Sequence, residues 1–229
     1  MIKSVVTDIE GTTTPIAFVA ETLFPYARQA LPDFVRAHRD LPEVAEQLAA
    51  TRALAGDAGL SDAAVTAILI QWIDEDRKAT PLKLLQGLIW REGYEAGAFQ
   101  GQLYADVPPL LRAWHAGGLR LFSYSSGSVA AQRLLFGHSP AGDLTPLFEG
   151  FFDTRLGGKL ESASYAALAS AVALSPDRIL FLSDHEGELD AAAAIGFVTG
   201  CLDRDGIGRS GRHRIHRDFR SVAADLAGA

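Results

Sequence analysis

The chain holds a single cysteine, Cys201, which excludes an internal disulfide framework and any Cys-rich zinc site. Positive charge is in deficit: 21 Lys and Arg against 28 Asp and Glu leave a net −7. That balance argues against a general binder of nucleic acid or of an anionic membrane. Long apolar runs are missing too. The richest stretch, residues 191–202, carries glycines and a threonine and is shorter than the roughly 18 apolar residues of a membrane span. The start offers only a short apolar stretch before Asp8 and Glu10, too little for a secretory signal. Core material is plentiful, with 48% of residues hydrophobic and 21% charged, so disorder is excluded. The 229 residues make about one and a half domains of ordinary size. The expectation is a cytoplasmic globular protein.

Residues 2–8 (IKSVVTD) read as a short β-branched strand that runs into Gly11 and the turn-prone TTTP. From Ala17 to Gly97 alanine and leucine recur at helical spacing. This predicts helices at 17–38 (bent at Pro25 and Pro32), 42–55, 61–76 and 81–96, with Ser61 as an N-cap. After Tyr104 helices and strands alternate: helix 107–116, strand 119–125, helix 128–136, strand 150–153, helix 162–173, strand 178–183, helix 186–195, strand 197–202, strand 212–217 and a closing helix from 219. Alternation at these lengths implies βαβ units and a parallel sheet. The fold class is therefore α/β, a Rossmann-like parallel sheet formed by residues 1–15 and 104–229, with residues 16–103 as a helical insertion.

Open parallel sheets bind ligands beyond the carboxyl ends of their strands. The polar residues expected there are Asp8 and Glu10 after the first strand, Ser125 and Ser126 after the second, Lys159 after a Gly-Gly loop, and Asp184 after FLS. In an extended segment Asp8 and Glu10 project to one side. One carboxylate can then attack phosphorus while the other moves protons. Asp8 and Asp184 offer hard oxygen ligands that suit Mg²⁺. Lys159 can grip phosphoryl oxygens and hold the nucleophile ionised. The serines can donate to an anion at a helix N-terminus. Each residue also has a plainer reading. D-x-E describes any solvated strand end, and Asp184 can cap the helix 186–195. Lys159 can be an exposed lysine, and Ser126 or Ser128 can cap the helix from 128. Glu186 and Glu188 read as complements to a helix dipole. The combination, in chain order at the ends of one deduced sheet, favours the chemical reading.

That order resembles the haloacid dehalogenase superfamily, whose phosphatases form an aspartyl phosphate. The usual second acidic residue is Asp, and here it is Glu10. DIEGTTTPI at 8–16 resembles the acireductone-forming enolase-phosphatases of methionine salvage. TLFPYAR at 22–28, ATPLKLLQGLIW at 79–90, YSSGSVAAQRLLFGHS at 124–139, FFDTRLGGK at 151–159 and FLSDHEGELDAA at 181–192 are similar to that family as well. The resemblance implies an α/β core with a helical cap, one Mg²⁺ per subunit and no organic cofactor. Its substrate is a small phosphorylated diketone, 2,3-diketo-5-methylthiopentyl-1-phosphate, enolised and then dephosphorylated. By motif position Asp8, Glu10 and Asp184 match the metal site, Glu10 through its side chain or its backbone carbonyl. Asp8 and Glu10 match the catalytic pair, and Ser125, Ser126 and Lys159 the substrate contacts. A monomer without nucleic-acid or membrane partner is expected.

Two rivals differ in class. One is another capped phosphomonoesterase, acting on phosphoserine or a sugar phosphate. The other is a non-catalytic phospholigand-binding module, which has no need of a nucleophile and acid together. Phe18, Phe24, Tyr26, Trp72 and Trp90 are candidates for an apolar wall around the substrate tail, although aromatics at helical spacing more often form a helical core. The run Arg204, Arg209, Arg212, Arg214, Arg217 and Arg220 is interleaved with Asp203, Asp205 and Asp218 and reads as a solvated, charge-protected edge strand.

Overall fold

The computed structural model describes residues 1–208 and 211–228. The chain divides into two compact units, one of Met1–Ile16 with Gln100–Ala229 and one of Ala17–Phe99. The boundary thus falls at residues 99/100, where 103/104 was expected. The reason is local. The Gly101 amide donates to His138 O at 2.9 Å and that of Tyr104 to Thr13 O at 3.0 Å. A Cβ at Gly101 would lie 2.0 Å from Leu135 O, so the segment packs as part of the first unit.

The Ala17–Phe99 unit is all-helical. After the short α1 (Ile16–Phe18) comes one π-helical turn, Val19–Leu23, which leads into α2 (Phe24–His38). Pro25 falls at the start of α2, where a missing amide costs little. Pro32 lies inside α2, which continues past it. The expected single bent helix at 17–38 is therefore three segments, and the irregularity precedes Pro25. Helices α3 (Pro42–Ala55), α4 (Asp62–Asp74) and α5 (Thr80–Glu95) follow. Ser61 caps α4 as expected, its Oγ accepting from the Ala64 amide at 3.3 Å. Leu31, Leu48, Leu69, Leu85, Ile89 and Trp72 pack in the core of this unit. Phe99 packs edge-to-face with Tyr26 and Tyr94, at 4.8 and 4.5 Å between centroids. Phe24 meets Trp90 edge-on at 5.9 Å. Most of the aromatics therefore serve the packing of their own unit. Arg28 pairs with Asp74 at 2.7 Å on the surface.

The other unit is built on a six-stranded sheet in the order β3-β2-β1-β4-β5-β6. Its elements are β1 (Ser4–Thr7), α6 (Val107–Ala116), β2 (Arg120–Tyr124), α7 (Val129–Gly137), β3 (Phe148–Phe152), α8 (Ser162–Val172), β4 (Ile179–Ser183), α9 (Glu186–Ala193), β5 (Val198–Leu202), β6 (Arg214–His216) and α10 (Phe219–Gly228). Every pairing is parallel. SVVT and ILFLS are buried at every position, as strands covered on both faces must be. Val6, Phe122, Tyr165, Leu168, Phe181 and Leu189 form the core against the helices. Cys201 is buried in β5. Among the described residues no helix is long and apolar enough to cross a membrane.

The arginine-rich stretch departs from its expected reading. Arg214 does lie on the edge strand β6, paired with Asp225, and Arg212 pairs with Asp190 at 2.6 Å. Arg209 lies outside the described residues. Arg204 belongs to no solvated edge, for its side chain is only 6% exposed.

Candidate active site

Strand β1 ends at Thr7, one residue before Asp8. The chain then folds into a tight turn in which the amides of Thr12, Thr13 and Thr14 all donate to Ile9 O, at 3.2, 2.9 and 2.9 Å. The alternation expected to put Asp8 and Glu10 on one side of a strand therefore does not extend that far, and the turn sets their placement. Asp8 is buried, its amide tied to Leu182 O at 2.8 Å. Glu10 is exposed two residues on.

Lys159 reaches Asp8 across 151 residues of sequence, with Nζ 2.6 Å from Oδ1. The same Nζ lies 2.6 Å from Glu188 Oε2. All three side chains are nearly withdrawn from water, at 6%, 8% and 12% exposure for Lys159, Asp8 and Glu188. Burial works against the lysine's charge, but Asp8 and Glu188 outweigh it and hold its pKa above the ordinary value. Burial, then the nearby Asp8 charge, push the Glu188 carboxyl up. Glu188 was expected only to complement a helix dipole. It is instead the second counter-charge of Lys159 and accepts from Ser183 Oγ at 2.9 Å. A buried lysine needs such compensation, which is the signal that could have singled out an acidic residue on the first turn of α9.

The loop carrying Lys159 is fixed by three successive carbonyls. Tyr124 Oη donates to Gly157 O at 2.9 Å, Ser164 Oγ to Gly158 O at 2.8 Å, and Tyr165 Oη to Lys159 O at 2.8 Å. Gly157 has φ +147°, and a Cβ there would lie 2.1 Å from Ser164 Oγ. Neither tyrosine nor Ser164 was singled out in the sequence, because their role is to satisfy main-chain acceptors.

At the end of β2, Ser125 is buried and its Oγ accepts from the Gly127 amide at 3.1 Å. Ser128 caps α7, accepting from Ala131 at 3.2 Å. Ser126 is exposed, and the capping role falls to Ser128. Asp184 is not the cap of α9. That position is held by His185, whose amide donates to Ser183 Oγ at 3.0 Å.

Asp184 lies against the turn instead. Gly11 has φ +69°, and a Cβ built on it would sit 2.5 Å from Asp184 Oδ2. This cradle brings the Asp184 carboxylate to the loop that starts at Asp8. Among the described residues no cluster of three or more His, Cys, Asp or Glu side chains is arranged as a metal cage. The carboxylates of Asp8 and Asp184 are hard oxygen donors, a sparse set of the kind Mg²⁺ takes while keeping several waters. Two buried carboxylates sharing one ammonium also leave negative charge that a cation offsets. The residues present fit Mg²⁺.

Comparison with known proteins identifies the family. The haloacid dehalogenase-like hydrolase family matches residues 2–196. The chain is 61% identical to an Enolase-phosphatase E1 of Parvibaculum lavamentivorans over 89% of its length and 86% of the relative's. It is 53% identical to the Enolase-phosphatase E1 of Methylococcus capsulatus over 99% of this chain and 100% of that one. Among solved structures, the UTR4 protein of Saccharomyces cerevisiae superposes with a TM-score of 0.82 at 35% identity, covering 96% of this chain and 100% of that one. The L-2-haloacid dehalogenase RSc1362, at 20% identity and a TM-score of 0.59 over 99% of each chain, shares the fold. With a hydrolase core, a buried lysine–aspartate pair and relatives this similar over nearly its whole length, the chain is a phosphatase and belongs to the enolase-phosphatase E1 family of haloacid dehalogenase-like hydrolases.

Proposed function

We propose that the chain is a Mg²⁺-dependent enolase-phosphatase of methionine salvage. It would convert 2,3-diketo-5-methylthiopentyl-1-phosphate to the acireductone 1,2-dihydroxy-3-keto-5-methylthiopentene and phosphate, acting in the cytoplasm as a monomer. The observation that carries this reading is the buried pair of Lys159 and Asp8, 2.6 Å apart. The ammonium holds the carboxylate in place for attack and is itself placed to meet phosphoryl oxygens. The relatives named Enolase-phosphatase E1 support the choice of substrate.

The residues divide the work as follows. Glu10 takes the proton alpha to a carbonyl in the enolisation, which leaves it in its acid form. Asp8 attacks phosphorus, the bond to the leaving oxygen breaks, and Glu10 gives that oxygen its proton. Glu10 next takes a proton from the water that attacks the aspartyl phosphate, which frees inorganic phosphate and restores Asp8. The reach of Glu, one methylene longer than Asp, lets one carboxylate serve both steps. Ser125 and Ser126 hold phosphate oxygens, as does Lys159. Asp8, Asp184 and Glu10, the last through its side chain or carbonyl, would hold Mg²⁺, which would supply positive charge to offset that of the phosphate.

The test is turnover of the diketo phosphate with and without Mg²⁺, followed at once by enol absorbance and by phosphate release. Metal-dependent appearance of both signals is expected. Phosphate release from phosphoserine or sugar phosphates with none from the diketone would make the chain a different phosphomonoesterase. No release from any phosphomonoester would overturn the catalytic reading.

A further inference from the structure

The turn that presents Asp8 closes on itself through Ile9 O, but its far end is anchored from outside. Thr13 O accepts the Tyr104 amide at 3.0 Å. Thr12 O accepts twice from Arg204, at 3.1 Å from Nε and 2.6 Å from Nη2. The turn's own side chains do little there. The Thr12 and Thr14 hydroxyls are buried without a hydrogen-bond partner among the described residues, and the Thr13 hydroxyl turns back to Asp8 O and Ile9 O at 3.3 and 3.2 Å.

Arg204 is itself immobilised. Nη1 donates to both oxygens of Asp106 at 2.8 and 2.9 Å, and Asp106 Oδ2 also accepts the Phe219 amide at 2.7 Å. The guanidinium lies 4.1 Å from the Tyr104 ring centroid and 5.3 Å from that of Phe219. Neutralising the charge requires only Asp106. Nε and Nη2 are both directed at one carbonyl of the turn, and a planar fork fixes that carbonyl's direction in a way a lysine cannot.

We propose that Arg204 is a positioning residue for the nucleophile turn: fixed by Asp106, it clamps Thr12 O and so holds the turn in the conformation that presents Asp8 and seats Asp184 against Gly11. This rests on the reading of Asp8 as nucleophile. Displacing a reacting group by about 1 Å costs on the order of 100-fold in rate, so the clamp matters to kcat more than to the fold.

The test compares wild type with Arg204→Lys, which keeps a cation beside Asp106, and with Arg204→Ala, with and without added guanidinium. In Arg204→Lys we expect kcat for phosphate release to fall by about 100-fold, with KM and melting temperature nearly unchanged. Amide exchange at residues 11–14 should rise by about tenfold while β4 amides stay protected. Guanidinium should restore part of the activity of Arg204→Ala. Unchanged kcat together with unchanged exchange in the turn would overturn the proposal. So would a loss of activity that merely tracks global unfolding and is not rescued. The exchange measurement does not depend on turnover. If Asp8→Asn remained active, the nucleophile reading would fail while the clamp would still be judged by exchange.

Discussion

Lys159 Nζ and Asp8 Oδ1 lie 2.6 Å apart, with side-chain exposures of 6% and 8%. One residue follows β1 and the other ends a glycine loop after β3, so only the assembled sheet brings them together. With Glu188 on the other side of the ammonium, the arrangement holds more negative than positive charge, and its properties follow from that imbalance.

Replacing Lys159 by Met strands two buried carboxylates. The expected cost at neutral pH is about 3–5 kcal/mol, the usual penalty for removing one partner of a buried pair, along with loss of phosphate release. The cost should shrink on acidification, as Glu188, whose carboxyl burial already pushes up, takes up a proton. Denaturant melts of both proteins across a pH series check this.

Glu188→Gln should behave differently. The Glu188 carboxyl is raised above its ordinary value, by burial first and then by Asp8. Its contribution to stability is therefore fully present below the unfolded-state value and is lost as pH rises through the folded one. The Gln variant lacks this dependence. Relative to wild type it should gain stability as pH rises above the unfolded-state value of about 4.3, read from the difference between paired urea melts. A constant difference across that range would remove Glu188 as the titrating group.

Gly11→Ala would force a Cβ to 2.5 Å from Asp184 Oδ2 at a φ of +69°. The carboxylate has to move, so the Mg²⁺ concentration for half-maximal phosphate release should rise by about tenfold or more. A metal titration of the variant measures this, and an unchanged midpoint would remove Asp184 from the proposed metal site.

Asp8→Asn should abolish phosphate release with the circular dichroism melt retained. Glu10→Gln should abolish enol absorbance as well. Normal enolisation without phosphate release in the Glu10 variant would assign the two proton transfers to different groups.

Ser61→Ala removes the cap of α4 and should cost about 1 kcal/mol, seen as faster amide exchange in the first turn of that helix.

Much of the fold was legible because its signals are periodic and local. Hydrophobic period, Ser61 and the breaks at Pro42 and Pro81 locate helices α3 to α5 within a residue or two. The strand–helix alternation after Tyr104 fixes a parallel sheet, and strand ends then point to Asp8, Ser125, Lys159 and Asp184. Less legible were features created by partners far away in sequence. Glu188 looks like a helix-dipole residue until Lys159 is placed beside it. Arg204 looks like one of several surface arginines until Asp106, Tyr104 and Phe219 enclose it. Asp8 and Glu10 appear to alternate on a strand until the Ile9 carbonyl gathers three amides and bends the chain.

The sequence by itself determined the kinds of element, their order and the residue types able to do phosphoryl chemistry, because propensity, period and side-chain chemistry are properties of neighbouring residues. The tertiary structure alone decided which charges are buried together, which carbonyls need a donor and where the nucleophile turn is held. Those outcomes depend on desolvation and on main-chain hydrogen bonds between segments as far apart as Thr12 and Arg204, and no local pattern records them.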